Sequence, residues 1–357
     1  AIAYAKEAVE NASKEVLTSL ENNYESLSEI EQFLAENESK NSESTNAKVA
    51  EMLATQANLE NNKPQSALVS RYSNTALSEM SANVNVALQI ARNLDRHLLS
   101  QDNSNVWANT EATKQNYHSD FYRPYKQSLT MTQIGVANNV NDNVRVGAVL
   151  SHSRANNTFA ENVSGKNRLT ALNTYVKGNW NNGVFASLDL GYGRSRNTID
   201  FDGKNNVFHR SLFSVGVNAG IQWDWGINVR PSVGVRYNRL SKANYHLAEA
   251  KVESKALNLM TYRAGLALSK TFDVAGVKLT PSVASYYNDA TQRKMVVNGA
   301  LSVNNIGMQQ QFGRYFNHEA GLTAQFNQWQ VSAQVGMLKG SDITTQKYAA
   351  FKLGYTW

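Results

Sequence analysis

The apolar positions along the chain change period once. Between residues 66 and 99, Leu68, Tyr72, Leu77, Met80, Val84, Leu88 and Leu98 recur at helical spacing, without Pro or Gly. This predicts a helix with a thin apolar stripe. Its other faces carry Ser, Asn and Ala, as expected of a helix with polar neighbours all round inside a wet channel; the alternative is an amphipathic helix on a soluble core. Upstream, residues 5–35 and 49–59 also read as helical, separated by a polar break at 37–46 and closed by Asn61-Asn62-Lys63-Pro64. Residues 1–65 are therefore expected to form a helical stem or linker, and 66–104 a helix with its linker.

From Val106 onward the period is two and Gly becomes frequent. Twelve strand-like segments follow, at about 105–114, 128–139, 144–154, 168–180, 184–196, 207–223, 227–240, 254–271, 276–290, 314–327, 329–340 and 346–357. Their connections alternate in length. Short ones are Val140-Asn141-Asp142-Asn143, Asn181-Asn182-Gly183, Asp224-Trp225-Gly226, Asp273-Val274-Ala275 and Asn327-Gln328. Long ones are 115–127, 155–167, 197–206, 241–253 and 291–313, with 341–345 shorter. A soluble sandwich has no reason to sort its loops this way. A transmembrane barrel has: short turns lie on the periplasmic side and long loops outside.

The faces of the strands agree. In 227–240, Val229, Pro231, Val233, Val235 and Tyr237 alternate with Asn228, Arg230, Ser232, Gly234, Arg236 and Asn238. In 207–223 and 329–340 one face is equally apolar and the other is Ser, Asn, Gln and Gly. Burying arginine in a dry core costs several kcal/mol unless it is paired, so the polar faces are read as lining a hydrated lumen and the apolar ones as meeting lipid. Trp107, Trp180, Trp223, Trp225, Trp329 and Trp357 all fall at the predicted periplasmic ends, the first five forming an expected aromatic girdle. Tyr192, Tyr237, Tyr286, Tyr287, Tyr315 and Tyr348 fall near the other rim. The last strand ends Phe351, Leu353, Tyr355, Trp357 in alternation, the form of a C-terminal outer-membrane assembly signal.

Composition narrows the class. Hydrophobic content is 42%, with no run of ~18 apolar residues, which excludes membrane-spanning helices. Cysteine is absent, so no disulfide or thiolate metal site can form. The net charge is +6, with an acidic first hundred residues and a basic remainder. The basic residues are spread over strands and loops without clustering among aromatics, which argues against nucleic acid. Ala1-Ile2-Ala3-Tyr4-Ala5-Lys6 lacks the regions of a signal peptide, so the chain is expected to be a mature piece of something longer.

Several segments carry a family likeness. Asn93-Leu94-Asp95-Arg96-His97, Val106-Trp107-Ala108, Tyr122-Arg123-Pro124-Tyr125, Gln133-Ile134-Gly135-Val136, Gly147 to Ser153 and Gln311-Phe312-Gly313-Arg314-Tyr315 resemble the C-terminal translocator of monomeric type V autotransporters. The group is that of the IgA1 protease and Hap-like proteins of Haemophilus and Neisseria, and the likeness covers residues 66–357. It implies an all-β membrane domain over 105–357: a twelve-stranded antiparallel barrel with an α-helix threaded through its lumen. Twelve strands lie between barrels filled by side chains and open porins, which leaves room for one helix. The resemblance also implies export of an N-terminal passenger, mostly a serine protease in this group and absent from this chain. The implied setting is the Gram-negative outer membrane, the implied partners are lipid, the passenger and the barrel assembly machinery, and a monomer is expected.

Within that arrangement Arg92, Asp95 and Arg96 are placed to pair with the inward groups Asp189, Arg230, Arg236, Arg263 and Glu319. The alternative is that these charges are simply hydrated. Some relatives cut themselves in the lumen at paired asparagines; here Asn83 and Asn85 are separated by Val84, and the activity is not carried over. No GxSxG, HExxH, P-loop or EF-hand spacing occurs, and no cofactor or metal is expected. His118-Ser119-Asp120 names triad residues, but neighbours in sequence cannot converge. Two other functions stay open: an omptin- or phospholipase-like barrel enzyme using His152 and His209 near the outer rim, and a plugged porin or adhesive barrel. The loop 291–313 is expected to form a hairpin about Asn298-Gly299.

Overall fold

The computed structural model describes residues 71–117, 124–160, 162–247, 250–290, 294–299, 306–309, 313–341 and 343–357. The predicted stem at 1–65 and the His118-Ser119-Asp120 segment lie outside them. Among the described residues one helix, α1 (Arg71–Leu99), precedes eighteen strands. In chain order these are β1 (Val106–Tyr117), β2 (Tyr125–Asn139), β3 (Val144–Phe159), β4 (Val163–Asn179), β5 (Val184–Phe201), β6 (Lys204–Ile221), β7 (Trp223–Asp224), β8 (Asn228–Leu240), β9 (Ala243–Leu247), β10 (Ala250–Ser254), β11 (Leu257–Ser269), β12 (Phe272–Val274), β13 (Val277–Ala290), β14 (Lys294–Gly299), β15 (Ile306–Gln309), β16 (Arg314–Phe326), β17 (Trp329–Gly340) and β18 (Ile343–Tyr355).

Twelve of these close an antiparallel barrel: β1–β6, β8, β11, β13 and β16–β18. Closure is made where β1 pairs β18, in the register Val106↔Tyr355 through Thr113↔Tyr348. Closure leaves the twelve-stranded barrel without a free edge, the condition for its strands to cross lipid. Among the described residues no helix is long and apolar enough to cross a membrane.

The outer end differs from the sequence-based expectation. Residues 155–167 and 197–206 were expected as loops, yet β3–β6 run through them as strands of 16 to 18 residues. Asp202-Gly203, with φ of 54° and 78°, makes the tight turn between β5 and β6; Asp-Gly pairs suit the left-handed backbone conformation that both central residues of such a two-residue hairpin adopt. The loops 241–253 and 291–313 also contain strands, joined in one small sheet of order β15-β14-β10-β9. The hairpin in the second loop pairs Lys294–Val297 with Ile306–Gln309 and not the segments beside Asn298-Gly299.

Alternation sorts side chains as expected across the membrane belt. Ile134, Leu150, Leu172, Leu188, Val217, Val233, Val331 and Phe351 are exposed on the outer surface. A continuous apolar surface of that extent is a lipid-facing one. The opposite phase of each strand is buried against the lumen contents, for instance Asn109, Gln133, Asp189, Asn218 and Arg236.

The lumen is not polar throughout. Its outer half is an apolar collar in which Leu77, Met80, Val84, Val86 and Ile90 of α1 meet Leu129, Phe159, Val163, Ile199, Phe201, Phe208, Tyr245 and Leu247. Each such side chain taken from water contributes about 1.5–3 kcal/mol. This corrects the reading of α1 as surrounded by polar groups. The reason lies in the unexpected strand extensions: their inward phase is aromatic and aliphatic, as in a soluble core.

Candidate functional site

The inner half of α1 carries the charge. Its sequence places Gln89, Arg92, Asn93, Asp95, Arg96 and His97 within two and a half turns on one broad side of the helix, opposite Ile90, Leu94 and Leu98. Arg92 donates through Nε to Glu111 Oε1 at 3.1 Å and again through Nη2. Asn93 donates to the other carboxylate oxygen of Glu111. Arg96 Nε donates to Glu319 Oε1 at 2.8 Å. Asp95 accepts from Arg236 Nη2 at 2.7 Å and lies 3.3 Å from Arg263 Nη1. Higher up, inside the collar, Arg210 donates to Glu79 at 2.5 Å. Each of these charged side chains has an opposite charge within 3.3 Å, which offsets the cost of burying it.

The C-terminus of α1 is capped by the barrel. The last carbonyls of a helix lack partners within it. Arg230 Nη2 donates to the Leu99 carbonyl at 2.9 Å and Lys177 Nζ to the Ser100 carbonyl at 2.5 Å. Both cations also complement the negative end of the helix dipole. The linker is then pinned. Lys352 Nζ lies 2.6 Å from Asp102 Oδ2, and Arg145 Nη2 donates to the Asn103 and Ser104 carbonyls at 2.7 Å. Burial alone pushes the Asp102 carboxyl up, but Lys352, His97 and the Ser104 hydroxyl outweigh it and hold it below the usual carboxylate range.

Among the residues singled out from sequence, the structure brings Asp95 to Arg236 and Arg263, and Arg96 to Glu319. Asp189 reaches the helix only through Arg236, which it meets at 2.7 Å. Arg230 binds a backbone carbonyl and stacks over Phe185, 4.1 Å from the ring centre. Arg92 is held by Glu111, which sequence reasoning missed together with Glu79, Arg210, Asp102, Lys177 and Lys352. Glu111 was findable: it shares the inward phase of β1 with Trp107, Asn109 and Thr113.

The aromatics split. Trp180, Trp223, Trp225, Trp329 and Trp357 are exposed at the rim where both barrel ends meet, as are Phe351 and Leu353 on the outer face of β18, with Tyr355 half-buried beside them. Trp107 is a correction to the expected girdle. It is 1% exposed, points into the lumen and stacks on His97 with ring centres 4.1 Å apart. Its β1 position has the inward phase, and its ring covers Gly135, where a Cβ would collide with it. Of the outer-rim tyrosines, Tyr348 is likewise buried inside, accepting the guanidinium of Arg92 over its ring at 4.5 Å, and Tyr286 and Tyr315 line the lumen.

The helix is off-centre. It packs on the wall made by β2, β3, β4 and β6 and leaves a crevice of about 460 Å³ beside β11, β13, β16 and β17. Thr261, Arg263, Thr280, Ser282, Asn317, Glu319, Gln325, Gln330 and Gln334 line the crevice, together with apolar groups such as Val235, Val283 and Leu338. Among the described residues no three His, Asp or Glu side chains converge as a metal site would require.

Comparison with known proteins places this architecture. In solved structures it is similar to the translocator domain of autotransporter NalP from Neisseria meningitidis, with a TM-score of 0.61 at 15% identity, covering 78% of this chain and 98% of that one. The β-domain of the Bordetella autotransporter BrkA gives 0.57 at 17% identity over 72% of this chain and all of the other. In sequence, the adhesion and penetration protein autotransporter of Haemophilus influenzae is 35% identical over 295 residues, 82% of this chain and 20% of that protein. The IgA-specific serine endopeptidase autotransporter of Neisseria gonorrhoeae is 27% identical over 81% of this chain and 19% of its own length. The chain thus spans about a fifth of the length of these relatives. Residues 106–336 match the family described as the autotransporter β-domain. With its closed barrel, lipid-facing outer surface and helix-filled lumen, the chain belongs to that family and is the translocator barrel of an outer-membrane autotransporter.

Proposed function

We propose that residues 71–99 are the part of the exported polypeptide that stays in the pore, and that the barrel delivered an N-terminal passenger to the cell surface before the helix settled. The observation that carries this is the course of α1. It enters beside β1 at the rim where both barrel ends meet and rises through the whole lumen. Arg71, where α1 begins, therefore lies toward the other rim, which is outward in this reading. The relatives named as a serine endopeptidase and as an adhesion and penetration protein favour a proteolytic or adhesive passenger. The charged contacts of Arg92, Asp95 and Arg96 act as the ties that retain the helix. The outward Phe351, Leu353, Tyr355 and Trp357 act as the recognition strand for the barrel assembly machinery, and the closed barrel is complete as a monomer.

Planar-bilayer recording tests the plug. Deleting residues 71–99 raises single-channel conductance in this account; conductance equal to that of the parent protein refutes it. Export is tested with a reporter peptide joined ahead of residue 66. Surface detection in intact cells is expected, and retention of the reporter inside cells with a folded barrel counts against the proposal.

A further inference from the structure

The lipid-facing surface of β3–β6 is layered, and one layer is cationic. Across these four strands Leu150, Leu172, Tyr192 and Phe213 lie in one cross-strand row. One step further out the row is His152, Thr170, Arg194 and Ser211; the next is Arg154, Arg168, Arg196 and His209; the next contains Lys166. The apolar row marks the outer edge of the hydrocarbon belt, and each step along a strand pair adds about 6–7 Å. The cations therefore sit at headgroup height.

Arg154, Arg168 and Arg196 are direct cross-strand neighbours, about 5 Å apart strand to strand. Like charges in that relation repel, and they are closer than the roughly 8–10 Å over which salt screens. Arg154, Arg194, Arg196 and Lys166 are exposed and Arg168 is half-buried. Among the described residues none of the five forms an ion pair with a carboxylate. Arg168 is nevertheless held in place: its guanidinium donates to the Ala155 and Asn167 carbonyls at 3.1 and 3.0 Å and to Asn156 Oδ1 at 3.3 Å. Across the barrel, Arg314 at the outer end of β16 has Asp289 at 3.6 Å. The uncompensated row belongs to one side of the barrel.

We propose that this cationic row is a binding site for the phosphorylated glycolipid of the outer leaflet, lipopolysaccharide, with Arg154, Arg168 and Arg196 engaging its lipid A phosphates. Guanidiniums suit this because their planar fork meets phosphate oxygens two at a time, and a phosphate between them converts repulsion into attraction. The apolar row directly below offers Leu150, Leu172 and Phe213 to the acyl chains, so headgroup and tails are met in the right order. The assignment rests on the orientation proposed above, in which this rim is external.

The test uses the full chain, purified and folded in detergent. Retention of bisphosphorylated lipid A is measured by native mass spectrometry, beside dephosphorylated lipid A, phosphatidylglycerol and inorganic phosphate. Bisphosphorylated lipid A is expected to be retained preferentially, and the triple variant Arg154→Gln, Arg168→Gln, Arg196→Gln is expected to lose at least about tenfold in affinity. Lys339→Gln with Lys347→Gln, on β17 and β18, is expected to change nothing. The proposal is overturned if the triple variant, shown folded by heat-modifiable migration, binds as the parent does. It is equally overturned if dephosphorylated lipid A or phosphatidylglycerol binds as tightly. Labelling of Arg196→Cys by an impermeant maleimide on intact cells checks orientation separately; a site that is inaccessible there, yet reactive once the cells are opened, removes the outer leaflet as the source while leaving any in-vitro phosphate preference standing.

Discussion

Replacing Glu111 by Gln probes what holds the helix. The Glu111 side chain is fully buried and is the shared acceptor for Arg92 and Asn93, with Arg96 3.8 Å from its second oxygen. Gln keeps the shape and removes the charge, and its amide turns a donor toward one of these donors. Breaking a buried pair by neutralising one partner costs about 3–5 kcal/mol. Arg92 is 13% exposed toward the crevice and Arg96 keeps Glu319, which favours the low end, about 3 kcal/mol. The loss falls on the helix-in state, because the β1–β2 and β1–β18 ladders do not involve the side chain. At 1.36 kcal/mol per decade, the helix-out population rises about a hundredfold. Single-channel recording reads this as more frequent large openings, while heat-modifiable migration of the barrel stays unchanged. An open probability within twofold of the parent would refute the reasoning and assign retention to the apolar collar alone.

Three other perturbations bear on separate parts of the lumen. Leu77→Ala in the collar should cost about 2–5 kcal/mol and appear as increased ion leakage with a normal inner half, since Leu77 is 1% exposed and packed at the outer end. Gly135→Ala should displace the Trp107 ring, which occupies the space a Cβ needs, at a cost of about 1–3 kcal/mol; a red-shifted tryptophan emission reads the change. The Asp102 contact should be insensitive to pH from 8 to 5. A carboxyl held below its usual range stabilises fully above the unfolded value, near 4, and loses that contribution as pH falls beneath it; a spin label at Asn103 should gain mobility only under about pH 4.

How much of this was legible in the sequence follows from what each signal encodes. Alternation in Asn228–Leu240 and Trp329–Gly340 is a one-dimensional record of lipid on one side and lumen on the other, so strand number and facing were readable. Asp95 and Arg96 stood out because charge on a thin-striped helix needs partners, and Arg236 and Glu319 had the inward phase. The apolar collar was not readable in the same way. Phe159, Ile199 and Phe201 continue the alternation of their strands, but nothing local says where the membrane ends and a dry interior begins. Trp107 was misassigned because height along a strand and phase across it were weighed unequally: its position says rim, its phase says lumen. Lys352 pairs with Asp102 in the linker after α1, and such a long-range partnership appears only once the barrel closes.

The central claim is that lipid surrounds the ring of strands while the lumen holds the helix beside a wet crevice. Spin labels placed singly at Val233, Val331, Ser332 and Gln334 in reconstituted bilayers test it most directly. The outward Val233 and Val331, 58% and 42% exposed, should be relaxed by oxygen and shielded from a water-soluble nickel chelate, and Ser332 and Gln334 beside the crevice should show the reverse. Nickel access at Val233 and Val331 with oxygen-dominated relaxation at Ser332 and Gln334 would contradict the account.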